Sequence, residues 1–258
     1  MGSIVLRTNA VAVYGFLSAI AAEQPNGEVP AAAKILDCGA GGPVPPVALF
    51  EQHGFEAWGI DTRQSQLDLA RQYCRERGVK LQLRNGDMRR IPFDDETFDY
   101  VYEHYSMCHL DRSDTFLAVS EMRRVLKGGG LCFLGVISSD TWPTSLLGEE
   151  ESPGEFWKHE AGSEPVLHTA FTDGEAAKLV ADWKIVSQEK HVRYLRDVAA
   201  AMSVDSWMEL YPKSTADCTL ENWRARYDNR ANEVRSAYLY FILRKPGKRR
   251  LTGGASAA

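Results

Sequence analysis

The feature that most limits what this chain can fold into is the stretch Ile35-Leu36-Asp37-Cys38-Gly39-Ala40-Gly41-Gly42. A short apolar run ends in an acid and then in three glycines, and Pro43-Val44-Pro45-Pro46 leads on into Val47-Ala48-Leu49-Phe50. The pattern predicts a buried strand over 34–38, a tight turn, and a helix over 43–53 whose prolines occupy first-turn positions, where a missing N–H costs little. Glycines let the backbone reverse and let a ligand lie against it with no Cβ in the way. A helix N-terminus behind such a turn offers unpaired N–H groups and a partial positive charge. The spacing D-x-G-x-G-G-P is neither the G-x-G-x-x-G of a dinucleotide site nor a P-loop, which needs Lys-Ser/Thr.

Two further acids follow at strand ends. Ala57-Trp58-Gly59-Ile60 predicts a strand over 56–60 closed by Asp61. An acid there, about 20 residues past the glycines, can accept from both hydroxyls of a ribose; it can also cap the helix predicted over 63–77. Val79 to Leu83 alternates as a third strand (79–84), and Asn85-Gly86-Asp87-Met88 follows. Asp87 there can accept from an exocyclic amino group, and Met88 offers a backbone N–H and an apolar face.

The remaining pattern alternates strands with helices. A helix is predicted over 9–24, with Val13, Tyr14, Leu17, Ile20 and Ala21 on its packed face. Arg7 and the apolar run after it resemble a secretory leader, but Gly15 and Ser18 interrupt the run, and a leading helix is expected instead. Strand four spans 97–102 and is closed by Glu103. A helix over 111–127 is expected to bury Phe116, Leu117, Val119, Met122, Val125 and Leu126, as that over 63–77 buries Leu67, Leu69, Ala70, Tyr73 and Cys74. Gly128-Gly129-Gly130 is read as a break before an uninterrupted apolar strand, 131–137. A helix to Ala181, capped at 171–173, and strands over 183–192 and 238–244 complete the order. Strands alternating with helices imply a parallel, doubly wound sheet.

Composition narrows the partners. The chain has 258 residues, 44% hydrophobic and 25% charged, with net charge −5. That is ordinary globular composition, and its acidic total disfavours nucleic acid. No stretch is long and apolar enough to span a bilayer. Five scattered cysteines without C-x-x-C suggest a reduced, cytoplasmic protein with neither disulfides nor structural zinc.

Taken in order, ILDCGAGG, GID at 59–61, GDM at 86–88, IPFDDETFDYVY at 91–102 and EMRRVLKGGG at 121–130 resemble the class I S-adenosylmethionine-dependent methyltransferases, closest to their small-molecule (methyltransferase type 11-like) branch. The resemblance covers residues 30–137 well. It implies an α/β, Rossmann-like, doubly wound, mostly parallel seven-stranded sheet with an antiparallel last strand. It also implies S-adenosylmethionine as cofactor, S-adenosylhomocysteine as product and a small-molecule methyl acceptor. By the same resemblance Asp37 and the Gly39 carbonyl face the amino group of the methionine part, Asp61 takes the ribose and Asp87 the adenine, and Cys38, Ala40, Gly41, Thr62 and Met88 also bind the cofactor. Glu103, His104 and Tyr105 lie near the reacting methyl.

Within 103–109, His104 and Cys108 stand at metal-ligand spacing, but a loop lining the methyl donor is the expected reading and no metal is assigned. His104 or His109 is the candidate general base. One domain, 1–258, is expected, as monomer or homodimer, with core 30–137, cap insertions 138–168 and 195–236, and a flexible tail 246–258. The insertions carry helices near 201–210 and 219–235 and the aromatics Trp142, Phe156, Trp157, Trp207, Tyr211, Trp223 and Tyr227, which suit either a lined acceptor pocket or a dimer interface. Two other functions fit less of the pattern: a non-catalytic module that binds S-adenosylmethionine, and a nicotinamide-dependent oxidoreductase.

Overall fold

A computed structural model describes residues 2–159, 164–195 and 234–247. Helix α1 (Gly2–Ala22) precedes β1 (Lys34–Cys38), α2 (Val47–Gln52), β2 (Glu56–Asp61), α3 (Gln64–Arg77), β3 (Gln82–Asn85) and β4 (Phe98–Glu103). A 3-10 turn at Met107–His109 leads to α4 (Arg112–Val125) and β5 (Leu126–Ser138). After a second 3-10 turn (Thr144–Leu146) come β6 (Glu149–Ser152), β7 (Glu155–Lys158), β8 (Val166–Phe171), α5 (Asp173–Leu179), β9 (Lys184–Tyr194) and β10 (Arg235–Arg244).

The sheet runs β3-β2-β1-β4-β5 with parallel pairing throughout. β10 then inserts antiparallel between β5 and β9. These seven strands are the sheet expected from the sequence. Their alternation divides two cores. Ile35, Tyr100, Tyr102, Leu131, Phe133 and Tyr240 face α1 and α2, whereas Leu36, Val101, Cys132, Leu134, Leu239 and Phe241 face α4 and α5. The period of two along each strand thus builds both layers of a doubly wound fold.

Three more strands extend the sheet, most of them within 138–168, the first of the expected cap insertions. β6, β7 and β8 form an antiparallel meander. Ile137 of β5 pairs with Tyr238 on one edge and with Ala170 of β8 on the other. The β4–β5 pairing stops at Glu103↔Leu134. β8 therefore lies on β4's side of β5, beyond β4's carboxyl end. Of the second expected insertion, 196–233 lies outside the described residues, as do 248–258 of the expected tail.

Five helix and strand readings are corrected. α1 reaches back to Gly2 and ends at Ala22. It buries Val13, Leu17 and Ile20, but Phe16 takes the place expected for Tyr14, which is exposed. Phe16 packs on Phe50, Tyr100, Tyr102 and Phe133 with ring centroids 5.9–6.3 Å apart. α2 starts only at Val47, since Pro43, Pro45 and Pro46 lead up to the helix instead of occupying its first turn. In α3 Leu67, Ala70 and Cys74 are buried and Leu69 is exposed. In α4 Phe116 and Leu117 are 48% and 54% exposed; the buried stripe is Thr115, Ala118, Val119, Met122 and Val125, the i, i+3, i+4, i+7 face. Finally, Gly128–Gly130 does not separate helix from strand: β5 begins at Leu126 directly after α4. A Cβ on Gly130 would meet the Asp99 carbonyl at 2.6 Å, so glycine permits close approach to β4 there.

Two phenylalanines test this register. Phe16→Ala should cost about 3–5 kcal/mol, the range for emptying a packed aromatic site, and Phe116→Ala less than about 1 kcal/mol. Urea unfolding of the two variants checks it. Equal losses, or the reverse order, would place α4 or α1 in a different register.

Candidate active site

The chain winds outward from β1 through β2 to β3 and then crosses back to β4, so a crevice opens where the β1 and β4 loops part. A cavity of about 910 Å³ occupies the carboxyl edge. Its described walls come from the glycine turn (Gly39), the ends of β2 and β3 (Asp61–Arg63, Gly86–Arg89), the loop after β4 (Tyr105, Ser106, His109) and the meander (Leu147, Trp157, His168).

The turn is tied to its neighbours by backbone. The N–H groups of Gly39 and Ala40 both donate to the Ile60 carbonyl, at 2.8 and 2.9 Å. Gly39 has φ +108°, a region that L side chains rarely adopt. A Cβ there would run into the Ser106 side chain, whose Oγ donates to the Gly39 carbonyl at 3.4 Å. A Cβ on Gly41 would meet the Asp61 carboxylate and, at 2.6 Å, Cβ of Gln66. Of residues 37–41 only Gly39 borders the cavity. Cys38 and Ala40 are buried on opposite cores.

Asp37 and Glu103 end β1 and β4, both buried. The Val47 N–H at the start of α2 donates to the Asp37 carboxyl, while Asp37 Oδ2 has no partner. Burial, and then the charge of Glu103, push Asp37 well above the usual carboxylate range. Glu103 Oε1 accepts from the N–H groups of Ser106 (2.9 Å) and Met107 (2.7 Å); the Gly135 N–H also approaches the carboxyl, and Oε2 has no partner at full hydrogen-bond geometry. Burial raises its pKa to about 7. Orphaned buried acceptors are costly, and two carboxyls of this kind suit a cationic group such as an ammonium.

Asp61 is a shelf at the end of β2. Its Oδ1 accepts from the Arg63 N–H at 2.8 Å, and its backbone carbonyl is held by Asn85 Nδ2 and the Gly86 N–H. Arg63, not Asp61, occupies the cap position of α3. Among the described residues no group donates to Asp61 Oδ2, which leaves it for ligand hydroxyls. Thr62 adjoins it in the same wall. Asp87 differs. Arg89 straddles its carboxylate, with the backbone N–H and Nε on Oδ1 (2.8 and 3.0 Å) and Nε and Nη2 on Oδ2 (3.0 and 2.5 Å). Arg89 Nη1 reaches on to Asp114 at 2.6 Å. Hydrogen bonds from Arg89 hold Asp87 below the usual carboxylate range. Arg89 is absent from the sequence reading, and it occupies acceptor positions assigned there to a ligand's amino group.

After β4 the two candidate bases separate. His104 is buried away from the cavity, with Nε2 3.1 Å from the Tyr240 hydroxyl, and burial lowers its pKa to about 4. Tyr105 has φ +68°, a strain of about 1–3 kcal/mol for a bulky residue, and its ring stands at the cavity wall. His109 lines the cavity beside it. Partial burial is the main cause that holds His109 below its ordinary pKa, with His168 and Arg63 adding and the Leu167 carbonyl opposing. Cys108 is buried and its thiol is pushed up by burial. Among the described residues, no group of three or more His, Cys, Asp or Glu is placed to hold a metal ion. Thus Gly39, Asp61, Thr62, Asp87, Met88, Tyr105 and His109 meet at one cavity, and Asp37, Cys38, Ala40, Gly41, Glu103 and His104 do not border it.

Residues 35–130 match the family model described as a methyltransferase domain. Sterol 24-C-methyltransferase ERG6B of Gibberella zeae is 35% identical over 102 residues, 38% of this chain and 26% of that protein. Demethylmenaquinone methyltransferase of Bacillus subtilis is 34% identical over 101 residues, 38% of this chain and 42% of that one. The chain thus spans less than half the length of these curated relatives. The structure of PH0226 protein from Pyrococcus horikoshii shares the fold with a TM-score of 0.63 at 18% identity, covering 94% of this chain and 92% of the other.

The buried carboxyls set a pH dependence. Glu103 has a raised folded-state pKa, so its stabilising contribution is complete below its ordinary value of 4.5 and is lost as pH rises through about 7. Asp37 acts in the same direction. Glu103→Gln should flatten the fall in unfolding free energy between pH 5 and 8 by about 2–3 kcal/mol. Denaturant melts of both proteins across that range check this, and parallel pH profiles would mean that Glu103 is ionised without penalty.

Proposed function

We propose that this chain, whose residues 35–130 match a methyltransferase-domain family model, is a class I S-adenosylmethionine-dependent methyltransferase that moves the methyl group of S-adenosylmethionine to a small molecule bound in the 910 Å³ cavity. The observation that carries this reading is the convergence of the Gly39 turn, Asp61 and Asp87–Met88 on one crevice at the switch point of the sheet. Asp37 and Glu103 do not border the cavity but each stands two residues before a residue that does, Gly39 and Tyr105, and we assign their orphaned oxygens to the cofactor's ammonium; glycines at 39 and 41 keep the turn free of side chains.

Each residue then has a task. Asp61 accepts from the ribose hydroxyls through Oδ2, and Thr62 flanks it. Met88 gives an apolar face to the adenine, and Asp87 takes part in adenine recognition with Arg89 fixing its carboxylate. Gly39 keeps the turn in the conformation that lets the methionine part lie along it, with Cys38, Ala40 and Gly41 contributing backbone alone. Tyr105 and His109 border the acceptor side. The cofactor supplies an electrophilic methyl on a sulfonium. The protein aligns the acceptor with it, keeps water away and removes a proton where the acceptor carries one. His109, neutral near pH 7, is the candidate for that removal, and His104, which bonds Tyr240 inside the fold, is a positioning residue.

The meander with Leu146, Leu147 and Trp157 supplies an apolar cap on the acceptor side. Four described cysteines are free thiols, in keeping with a cytoplasmic location, and net charge −5 suits a small acceptor better than nucleic acid. No helix among the described residues is long and apolar enough to cross a membrane. A monomer or homodimer serves this chemistry equally.

Asp61→Ala tests the reading. Each lost charge-assisted bond is worth about 1.5–3 kcal/mol, so the affinity for S-adenosylhomocysteine should fall by at least about tenfold while the fold survives. Calorimetric titration gives the number, and unchanged affinity in the folded variant would remove Asp61 from the cofactor site.

A further inference from the structure

His168 stands opposite His109 in the cavity wall, and the sequence gives no hint of the pairing. His109 comes from the 3-10 turn after β4, and His168 from β8 of the meander. Their ring centroids lie 5.2 Å apart, with planes 44° to each other. Each ring is pinned by the same kind of bond. His109 Nδ1 lies 2.8 Å from the Leu167 carbonyl, and His168 Nδ1 lies 2.7 Å from the Leu147 carbonyl. A carbonyl oxygen only accepts, so both Nδ1 atoms carry a proton, and in the neutral ring that tautomer leaves the lone pair on Nε2. Among the described residues neither Nε2 has a partner. Both rings line the same cavity, whose wall on this side is apolar at Leu147, Trp157, Val166 and Leu167 and charged at Lys158 and Glu164.

Two hydrogen-bond acceptors, side by side in a mostly apolar wall and with fixed tautomers, call for a ligand with two neighbouring donors. We propose that His109 and His168 together form the acceptor-binding pair, and that the methyl acceptor is a flat, largely apolar molecule bearing adjacent hydroxyl groups. This rests on the methyltransferase reading above. One hydroxyl donates to each Nε2. As the attacking oxygen bonds to the methyl carbon, the carbon–sulfur bond breaks and its electron pair stays on sulfur. The hydroxyl proton passes to Nε2 of His109, and the imidazolium later returns it to water. His168 orients the second hydroxyl. A neutral hydroxyl donates to Nε2 as it stands and passes on its proton as it attacks, whereas an alkylamine is protonated near neutral pH and must lose a proton before it can attack, so the pair fits oxygen better than nitrogen.

The pinning bonds also offer a purely structural role, because they stitch the turn, β8 and the second 3-10 turn together. Asparagine and glutamine separate the two. Asparagine places its amide N–H near the position of Nδ1 and so keeps the donor to the carbonyl, but it removes the Nε2 acceptor. Glutamine places its polar group near Nε2 and gives up the pinning donor. The experiment uses the full chain with S-adenosylhomocysteine, and catechol as the probe. Long-range proton–nitrogen NMR of the ring nitrogens should show unprotonated Nε2 in both histidines before catechol is added, and saturable shifts of both on titration. His168→Asn and His109→Asn should each weaken catechol at least tenfold, and His168→Gln less than His168→Asn. S-adenosylhomocysteine affinity should stay within twofold in all three. Catechol that leaves both rings unmoved, or asparagine variants that bind it like the parent, would overturn the pair. A greater loss in His168→Gln than in His168→Asn would overturn it in favour of the stitching role. Failure of S-adenosylhomocysteine to bind the parent chain would instead strike the methyltransferase reading, so the two failures are told apart on the same samples.

Discussion

β1 has a parallel neighbour on each side, and the chain reaches those neighbours in opposite directions. β2 follows β1 through α2, whereas β4 is reached only after the excursion to β3 and back. Right-handed crossovers then place α2 on one face and α4 on the other, as the two cores require. Loops leaving β1 and β4 must part, and the gap cannot be closed by backbone. Everything of functional interest hangs on that gap. The acids at 37, 61, 87 and 103 end or follow successive strands of one parallel set, so they reach the same edge. The meander pairs with β5 only where β4 has ended, which puts it over the gap as well.

The site is bought with local stability. Asp37 and Glu103 each keep an unpartnered oxygen in a dry environment, and Tyr105 holds a left-handed backbone conformation that a bulky side chain avoids. Such groups persist only where the surrounding structure over-determines them. Here the surroundings are stiff: Phe16 locks α1 onto Phe50, Tyr102 and Phe133. Arg124 ties the loop before β4 to α4 through the carbonyls of Ile91 and Phe93 and the Glu121 carboxylate. The rigid core and the costly edge are parts of one arrangement, and a cation held between the orphaned carboxyls would relieve their cost.

Features set by local chemistry were legible in the sequence. β1, the glycine turn, Asp61 and Asp87 are marked by apolar runs that stop at acids, and the cap of α5 was legible at 171–173, where Thr172 caps the helix and Glu175 completes a capping box. Readings that depend on a choice among adjacent apolar residues went astray. Phe116 and Leu117 look like core, yet Thr115 and Ala118 hold the buried positions, because the stripe follows period rather than size. The Glu149–Ser152 strand has no strand pattern of its own and exists through its pairing with β7. Arg89 on Asp87, and His168 beside His109, arise from placement in space. One needs an arginine to fold back across two residues, and the other needs β8 to meet the end of β5. Neither leaves a periodic trace. The helices expected near 201–210 and 219–235, with Trp207, Tyr211, Trp223 and Tyr227, lie outside the described residues.

The central claim is that four strand ends and one glycine turn make a single cofactor site. Amide hydrogen exchange of the full chain, with and without S-adenosylhomocysteine, tests it most directly. Slowed exchange should gather in peptides covering 37–42, 59–63, 86–89 and 104–109, with β9 and α5 unchanged. Protection confined to other segments, or none at saturating ligand, would contradict the account.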